Sequence, residues 1–193
     1  MAAFALAVSG FMFSQVKPLD AMLSDYQYPY EVHFLNFKSQ GEDLKMAYMD
    51  IQPQKSNGRT IMLLHGKNFN GAYWQRTAKD LSAKGFRVVI PDQIGFGKSS
   101  KPHTYQFSFS QLAENTKAVL DELKIDKVIV LGHSMGGMVA TRFTLLYPEK
   151  VQKLILENRL NIHQIFSFQN QIFPTKKREL KVKLQGLLQT SLF

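Results

Sequence analysis

Cysteine is absent from the 193 residues, which excludes a disulfide framework, a thiolate metal site and a cysteine nucleophile while leaving the redox compartment open. The five histidines are scattered, and none falls in an HExxH spacing. Neither a metal nor an organic cofactor is implied. Charge is also sparse. At 20% charged and 45% hydrophobic, the chain is too apolar for disorder and lacks coiled-coil composition, so one globular domain with its own core is expected. Long apolar runs are missing too. Ala2 to Phe13 is almost wholly apolar and the first charge is Lys17, but that run is too short to cross a bilayer, and no stable membrane span is expected.

The sequence falls into three segments: residues 1–21, apolar at first; residues 22–158, with the pattern of a folded core; and residues 159–193. The first resembles the core of a secretory signal peptide. No Lys or Arg precedes it, however, and no clean small-x-small cleavage site follows before Lys17. Two alternatives stay open: a leader, which places the protein in the periplasm or outside the cell, or a segment packed on a cytoplasmic domain. Acids number 15 against 24 Lys and Arg, a net charge of +9. From Arg159 onward six basic residues face one acid, Glu179, so the tail carries more than half of that excess. The remainder is too weakly positive to argue for nucleic acid. The tail is rich in Gln, Lys and Phe and offers only a weak helical pattern over Lys177 to Leu188. Its composition reads as a truncated or frame-shifted end.

Tyr30 to Phe37 and Leu44 to Ile51 partly alternate apolar with polar residues, and Ser39-Gln40-Gly41-Glu42-Asp43 lies between them. This predicts an antiparallel hairpin. Thr60 to Leu64, Phe86 to Ile90 and Lys127 to Leu131 are short apolar runs without alternation, as strands buried on both faces require. Helical patterns fill the gaps, over Ala72 to Lys84 ending at Gly85 and over Phe109 to Leu123. A third runs from Met135 to Tyr147, where Pro148 ends it, and Val151 to Leu156 reads as a further strand. The predicted class is α/β, with a hairpin followed by a mostly parallel sheet and helices on both faces.

Gly132-His133-Ser134-Met135-Gly136 follows a buried strand and opens a helix, the context that a G-x-S-x-G nucleophile elbow needs. The turn is tight and strained, so small residues are required two positions before and after the serine. Ser134 is the candidate nucleophile, and the amide of Met135, at the helix N-terminus, is one candidate oxyanion donor. The loop Leu64-His65-Gly66-Lys67-Asn68 supplies the other, the amide of Lys67. His65, Gly66, Asn68 and His133 are expected to line the pocket, with His65 bracing its loop rather than acting as base and His133 turned into neighbouring structure. His33 and His103 read as ordinary surface or packing residues.

His65-Gly66, Pro91-Asp92-Gln93-Ile94-Gly95-Phe96-Gly97-Lys98-Ser99-Ser100-Lys101-Pro102 and Gly132-His133-Ser134-Met135-Gly136-Gly137 together resemble the α/β-hydrolase superfamily, over roughly Tyr30 to Asn158. The Pro91 to Pro102 segment is similar to that of epoxide hydrolases and haloalkane dehalogenases, whose nucleophile is an aspartate. Here the elbow holds Ser134, which implies an acyl-enzyme route, as in the superfamily's esterases, lipases and carbon–carbon bond hydrolases. Asp92 precedes the nucleophile and reads as a loop-bracing carboxylate. The resemblance implies the order Ser, then Asp or Glu, then His. After Ser134 the only histidine is His163 and the only acids are Glu149, Glu157 and Glu179. Ser134, Glu157 and His163 satisfy the order, but six residues from acid to base leave no room for the intervening strands.

On this reading the 22–158 segment is a partial α/β-hydrolase core. The resemblance implies a serine hydrolase of an ester or similarly activated carbonyl, expected to be crippled in this chain by loss of its C-terminal acid and histidine. The alternative is a non-catalytic fragment or interaction protein that keeps the sheet. The expected partner is a small-molecule substrate and not nucleic acid; the oligomeric state is left unassigned.

Overall fold

In a computed structural model, residues 18–157 are described. Most of the apolar N-terminal segment, the basic tail, the Lys177 to Leu188 helical pattern and His163 lie outside them. The described chain forms six strands and three α-helices: β1 His33–Ser39, β2 Glu42–Ile51, β3 Thr60–Leu64, α1 Gln75–Ala83, β4 Arg87–Pro91, α2 Phe109–Glu122, β5 Val128–His133, α3 Met135–Leu146 and β6 Val151–Glu157. The sheet order is β1-β2-β4-β3-β5-β6. β1 pairs antiparallel with β2, and β2 antiparallel with β4. From β4 through β3 and β5 to β6 every pairing is parallel.

The missing alternation in the inner strands has a direct structural cause. Met62 and Leu64 of β3 face one side of the sheet, where α2 and α3 bring Leu112, Leu120, Val139 and Phe143. Ile61 and Leu63 face the other side, packed with Trp74 and Ala78 around α1. Both pleat faces are dry, so every position is apolar. Helices therefore cover both faces, α2 and α3 on one and α1 on the other.

Element boundaries moved where local hydrogen bonding overrode pattern. The hairpin turn is two residues, Gln40 and Gly41, with φ of +52° and +79°. A five-residue turn was expected. Positive φ at both central positions matches the twist of a tight hairpin, and it lets β1 and β2 pair up to Ser39 and Glu42. Tyr30 and Val32, expected in the first strand, pack instead on the α1 side of the sheet. The helix expected from Ala72 begins as a 3₁₀ turn over Gly71–Trp74, because the Asn70 side chain accepts the Ala72 amide and fixes the entry there. Ser108 caps α2 in the same manner through the Gln111 amide.

One buried carboxylate ties three loops to this sheet. Asp92, immediately after β4, accepts the Tyr28 hydroxyl at 2.6 Å, the Gly71 amide at 2.6 Å and the Lys98 amide at 2.7 Å. Its own carbonyl accepts the Ser99 hydroxyl at 2.6 Å, and the Ser99 oxygen accepts the Ala47 amide of β2. This is the bracing role expected from the sequence. Burial, followed by the charge of Asp92, pushes the Tyr28 hydroxyl well above its ordinary range, so Tyr28 remains a donor. Asp92→Ala removes the acceptor of the buried Gly71 amide, the half-buried Lys98 amide and the Tyr28 hydroxyl at once. It is expected to lower unfolding stability by about 3 kcal/mol, measured by urea denaturation. A loss within experimental error would show that the three loops hold without it.

Candidate active site

β5 ends at His133 and α3 begins at Met135, so the chain reverses direction on Ser134 alone. That residue has φ +53° and ψ −119°, a conformation that costs a non-glycine residue of order 1–3 kcal/mol and persists only where surrounding structure enforces it. The enforcement is visible in backbone contacts. The Ser134 amide donates to the carbonyl of Glu157 at 3.2 Å, and the Ser134 carbonyl accepts the Gly137 amide at 2.9 Å. A Cβ on Gly132 would lie 2.6 Å from the Gly136 carbonyl carbon. One on Gly136 would run into the carbonyl oxygens of Leu64 and His65. The end of β5, the first turn of α3 and the end of β3 thus meet at backbone distance, which only glycine permits.

The same proximity brings the loop after β3 to the serine. A Cβ on Gly66 would sit 3.2 Å from His133 Nδ1 and 3.3 Å from Ser134 Cβ, so Gly66 borders Ser134. Lys67 and Asn68 form the exposed turn that follows, with Asn68 at φ +64° and the Phe69 amide bonded back to the Gly66 carbonyl at 3.3 Å. Met135 opens α3, and the first amides of a helix have no acceptor within it. Ser134, Gly66, Lys67 and Met135 are therefore brought to one end of β3 and β5.

His65 departs from the expectation that it lines the pocket. It is fully buried, with Nε2 accepting the Gln93 amide at 2.9 Å. Because Nε2 accepts, Nδ1 carries the proton and donates to the Gly66 carbonyl at 2.8 Å. Both nitrogens are committed, and neither is left for Ser134. Burial pulls its pKa below the usual imidazole value, against the opposing effects of the Gly66 hydrogen bond and the Asp92 charge.

His133 packs in an aromatic cluster that the sequence reading overlooked. Its ring centroid lies 6.2 Å from Phe69, 5.9 Å from Tyr73 and 6.4 Å from Trp74, and its Nδ1 is 3.3 Å from the Tyr73 hydroxyl. Burial, followed in the same direction by the charge of Glu157, raises the Tyr73 pKa, so this phenol is neutral near pH 7. The signal lay in Phe69 and Tyr73 standing just after His65-Gly66, but nothing in a one-dimensional pattern aims those rings at residue 133. Glu157 is exposed at the end of β6 beside the elbow, while His163 lies outside the described residues. Among the described residues no group of three or more His, Asp or Glu could hold a metal, and no helix is long and apolar enough to cross a membrane.

Comparison with known proteins agrees with this geometry. A family model described as alpha/beta hydrolase fold matches residues 59–180, running past the boundary expected at Asn158. A 2-hydroxy-6-oxononadienedioate/2-hydroxy-6-oxononatrienedioate hydrolase of Escherichia coli is 35% identical over 126 residues, covering 64% of this chain and 43% of the relative. The crystal structure of a probable hydrolytic enzyme from Pseudomonas aeruginosa PAO1 superposes with a TM-score of 0.71 at 54% identity, over 72% of this chain and 44% of that one. An epoxide hydrolase from Vigna radiata gives a TM-score of 0.56 at 25% identity, over 65% of this chain and 38% of that one. The chain spans less than half the length of these relatives.

Two outcomes follow from the geometry. Gly136→Ala forces a methyl group against the Leu64 and His65 carbonyls and is expected to cost about 3 kcal/mol, seen as a lowered denaturation midpoint; an unchanged midpoint would mean the turn can open freely. His65 has a depressed pKa when folded, so below pH 6.5 the unfolded state binds the extra proton more readily. Stability should decline as pH falls through that value toward the folded pKa. In His65→Asn this part of the slope should vanish, and pH-dependent stability curves that superimpose for the two proteins would contradict the assignment.

Proposed function

We propose that this chain, which belongs to the alpha/beta hydrolase fold family, carries the nucleophile of a serine hydrolase acting on an ester or a similarly activated carbonyl compound. The observation that carries the reading is Ser134 at φ +53° on a strand-to-helix turn, opposite Gly66. In the proposed step the Ser134 oxygen attacks the carbonyl carbon and the carbonyl π pair moves onto oxygen. The Lys67 and Met135 amides donate to that oxyanion. Its collapse breaks the bond to the leaving group, which takes up the proton given up by the serine, and water then releases the acyl group. Of the relatives named above, one hydrolyses 2-hydroxy-6-oxononadienedioate, a carbonyl compound, and another is an epoxide hydrolase; the serine at the elbow favours the carbonyl class.

His65 is committed to its loop by both nitrogens. Glu157 and His163 have the expected chain order, but their spacing in sequence speaks against a triad. The 193-residue chain alone is accordingly proposed to be a slow catalyst. The competing reading, an interaction protein or non-catalytic fragment retaining the hydrolase sheet, rests on His163 being the single histidine after Ser134.

A fluorophosphonate probe and an activated aryl ester, applied to the full chain, separate these readings. Slow labelling is expected, confined to Ser134 and lost in Ser134→Ala. Ester hydrolysis should retain roughly 10³ to 10⁴ of acceleration over water, the residue that incomplete triads keep. Labelling that persists in Ser134→Ala would sink the nucleophile assignment, and no labelling of the wild type would favour the interaction protein. Fast labelling abolished by His163→Ala, with folding intact, would instead assign the base to His163.

A further inference from the structure

We infer that the groove between α1 and the segment around Tyr26 is a binding site for an aromatic carboxylate, next to the elbow but not part of it. The groove is open, has a volume of about 590 Å³, and is lined by Tyr26, Asn68, Phe69, Tyr73, Arg76 and Lys79 among others. That size suits a small organic ligand. Ser134 is not among its lining residues. The two sites share a wall: Phe69 and Tyr73, whose centroids are 5.2 Å apart, line the groove and also pack against the His133 ring.

The lining fixes the ligand chemistry. Phe69 is 51% and Tyr73 38% exposed, and their adjoining rings leave apolar surface in water on the concave face. Flat apolar rings take another flat apolar body. Arg76 and Lys79 stand three residues apart on α1, hence on one side of the helix, while Ala78 points into the core. Among the described residues neither cation makes an ion pair, and no Asp or Glu lines the groove. The guanidinium is a planar fork suited to a carboxylate, and the ammonium adds a second positive charge. Asn68 and Asn70 add side-chain amides to the lining. Inorganic phosphate would use the cations and leave the rings idle, and a neutral arene would do the reverse. The inference goes beyond the hydrolase reading, because binding here requires no serine chemistry.

The chain contains a reporter for occupancy. Trp74 is its single tryptophan, is 4% exposed, and its ring lies 4.6 Å from that of Tyr73 at an interplanar angle of 30°. Benzoate titrated into the full chain is expected to change Trp74 fluorescence saturably, and benzamide and inorganic phosphate should each bind at least about threefold more weakly. Added salt should weaken benzoate. The Arg76→Gln, Lys79→Gln double variant should weaken benzoate about fivefold and leave benzamide unchanged, whereas Phe69→Ala should weaken both. Circular dichroism confirms folding of each variant. Ser134→Ala should bind benzoate as the wild type does, so a failed labelling experiment and a failed titration are separate results. No saturable change, equal binding of benzoate with benzamide or phosphate, or an unaffected double variant would overturn the site.

Discussion

The structure depends on three stretches of backbone meeting where a side chain would not fit. Gly132 leaves room for the Gly136 carbonyl, and Gly136 leaves room for the Leu64 and His65 carbonyls. This contact makes the end of β3, the end of β5 and the start of α3 one rigid unit. It requires β3 and β5 to be neighbours in the sheet, which they are over Ile61–Leu64 and Ile129–Gly132. It also leaves Ser134 no conformation but one with positive φ. The strain at the serine is thus held by close packing of neutral backbone, supported by the amide bond to Glu157 on the next strand.

Two buried polar side chains hold the loops at the strand ends. Asp92 and His65 are buried at the ends of β4 and β3, and each closes hydrogen bonds that span the chain: Tyr28, Gly71 and Lys98 on the carboxylate, Gln93 and Gly66 on the imidazole. Buried polar groups with all partners in place specify one arrangement, since every alternative leaves a group unpaired. In consequence the Gly66 to Gly71 loop is anchored at both ends, by His65 at the first and by Asp92 at the last. Between these anchors Lys67 and Asn68 are exposed. The loop is thus fixed at its ends and exposed in its middle.

Aromatic packing connects the elbow with the face beyond it. His133, Phe69, Tyr73 and Trp74 form a contiguous cluster running from the residue beside Ser134 to the surface above α1. Its inner end packs with the sheet through Trp74, and its outer end carries exposed ring faces. Whatever sits against Phe69 and Tyr73 is therefore separated from His133 by a single layer of side chains.

Much of this was legible in one dimension. The unbroken apolar runs at Thr60 to Leu64 and Lys127 to Leu131 required strands covered on both faces, and the glycines at 132 and 136 around Ser134 required a tight strand-to-helix turn. Those features are local: they depend on pleat geometry and on the room a missing Cβ leaves, and both can be read from neighbours in the chain. The shortened hairpin turn, the 3₁₀ entry to α1 and the packing of Tyr30 and Val32 on the α1 face were not legible, because each is decided by a competing contact of the folded chain. Still less so were the commitment of both His65 nitrogens and the ring cluster on His133. The partners of His65 and His133 include residues 28 and 60 positions away. The sequence by itself determined which residues could form an elbow, a sheet and a loop; only the tertiary structure decided which of them face one another, because direction in space is set by packing across strands that are distant in the chain.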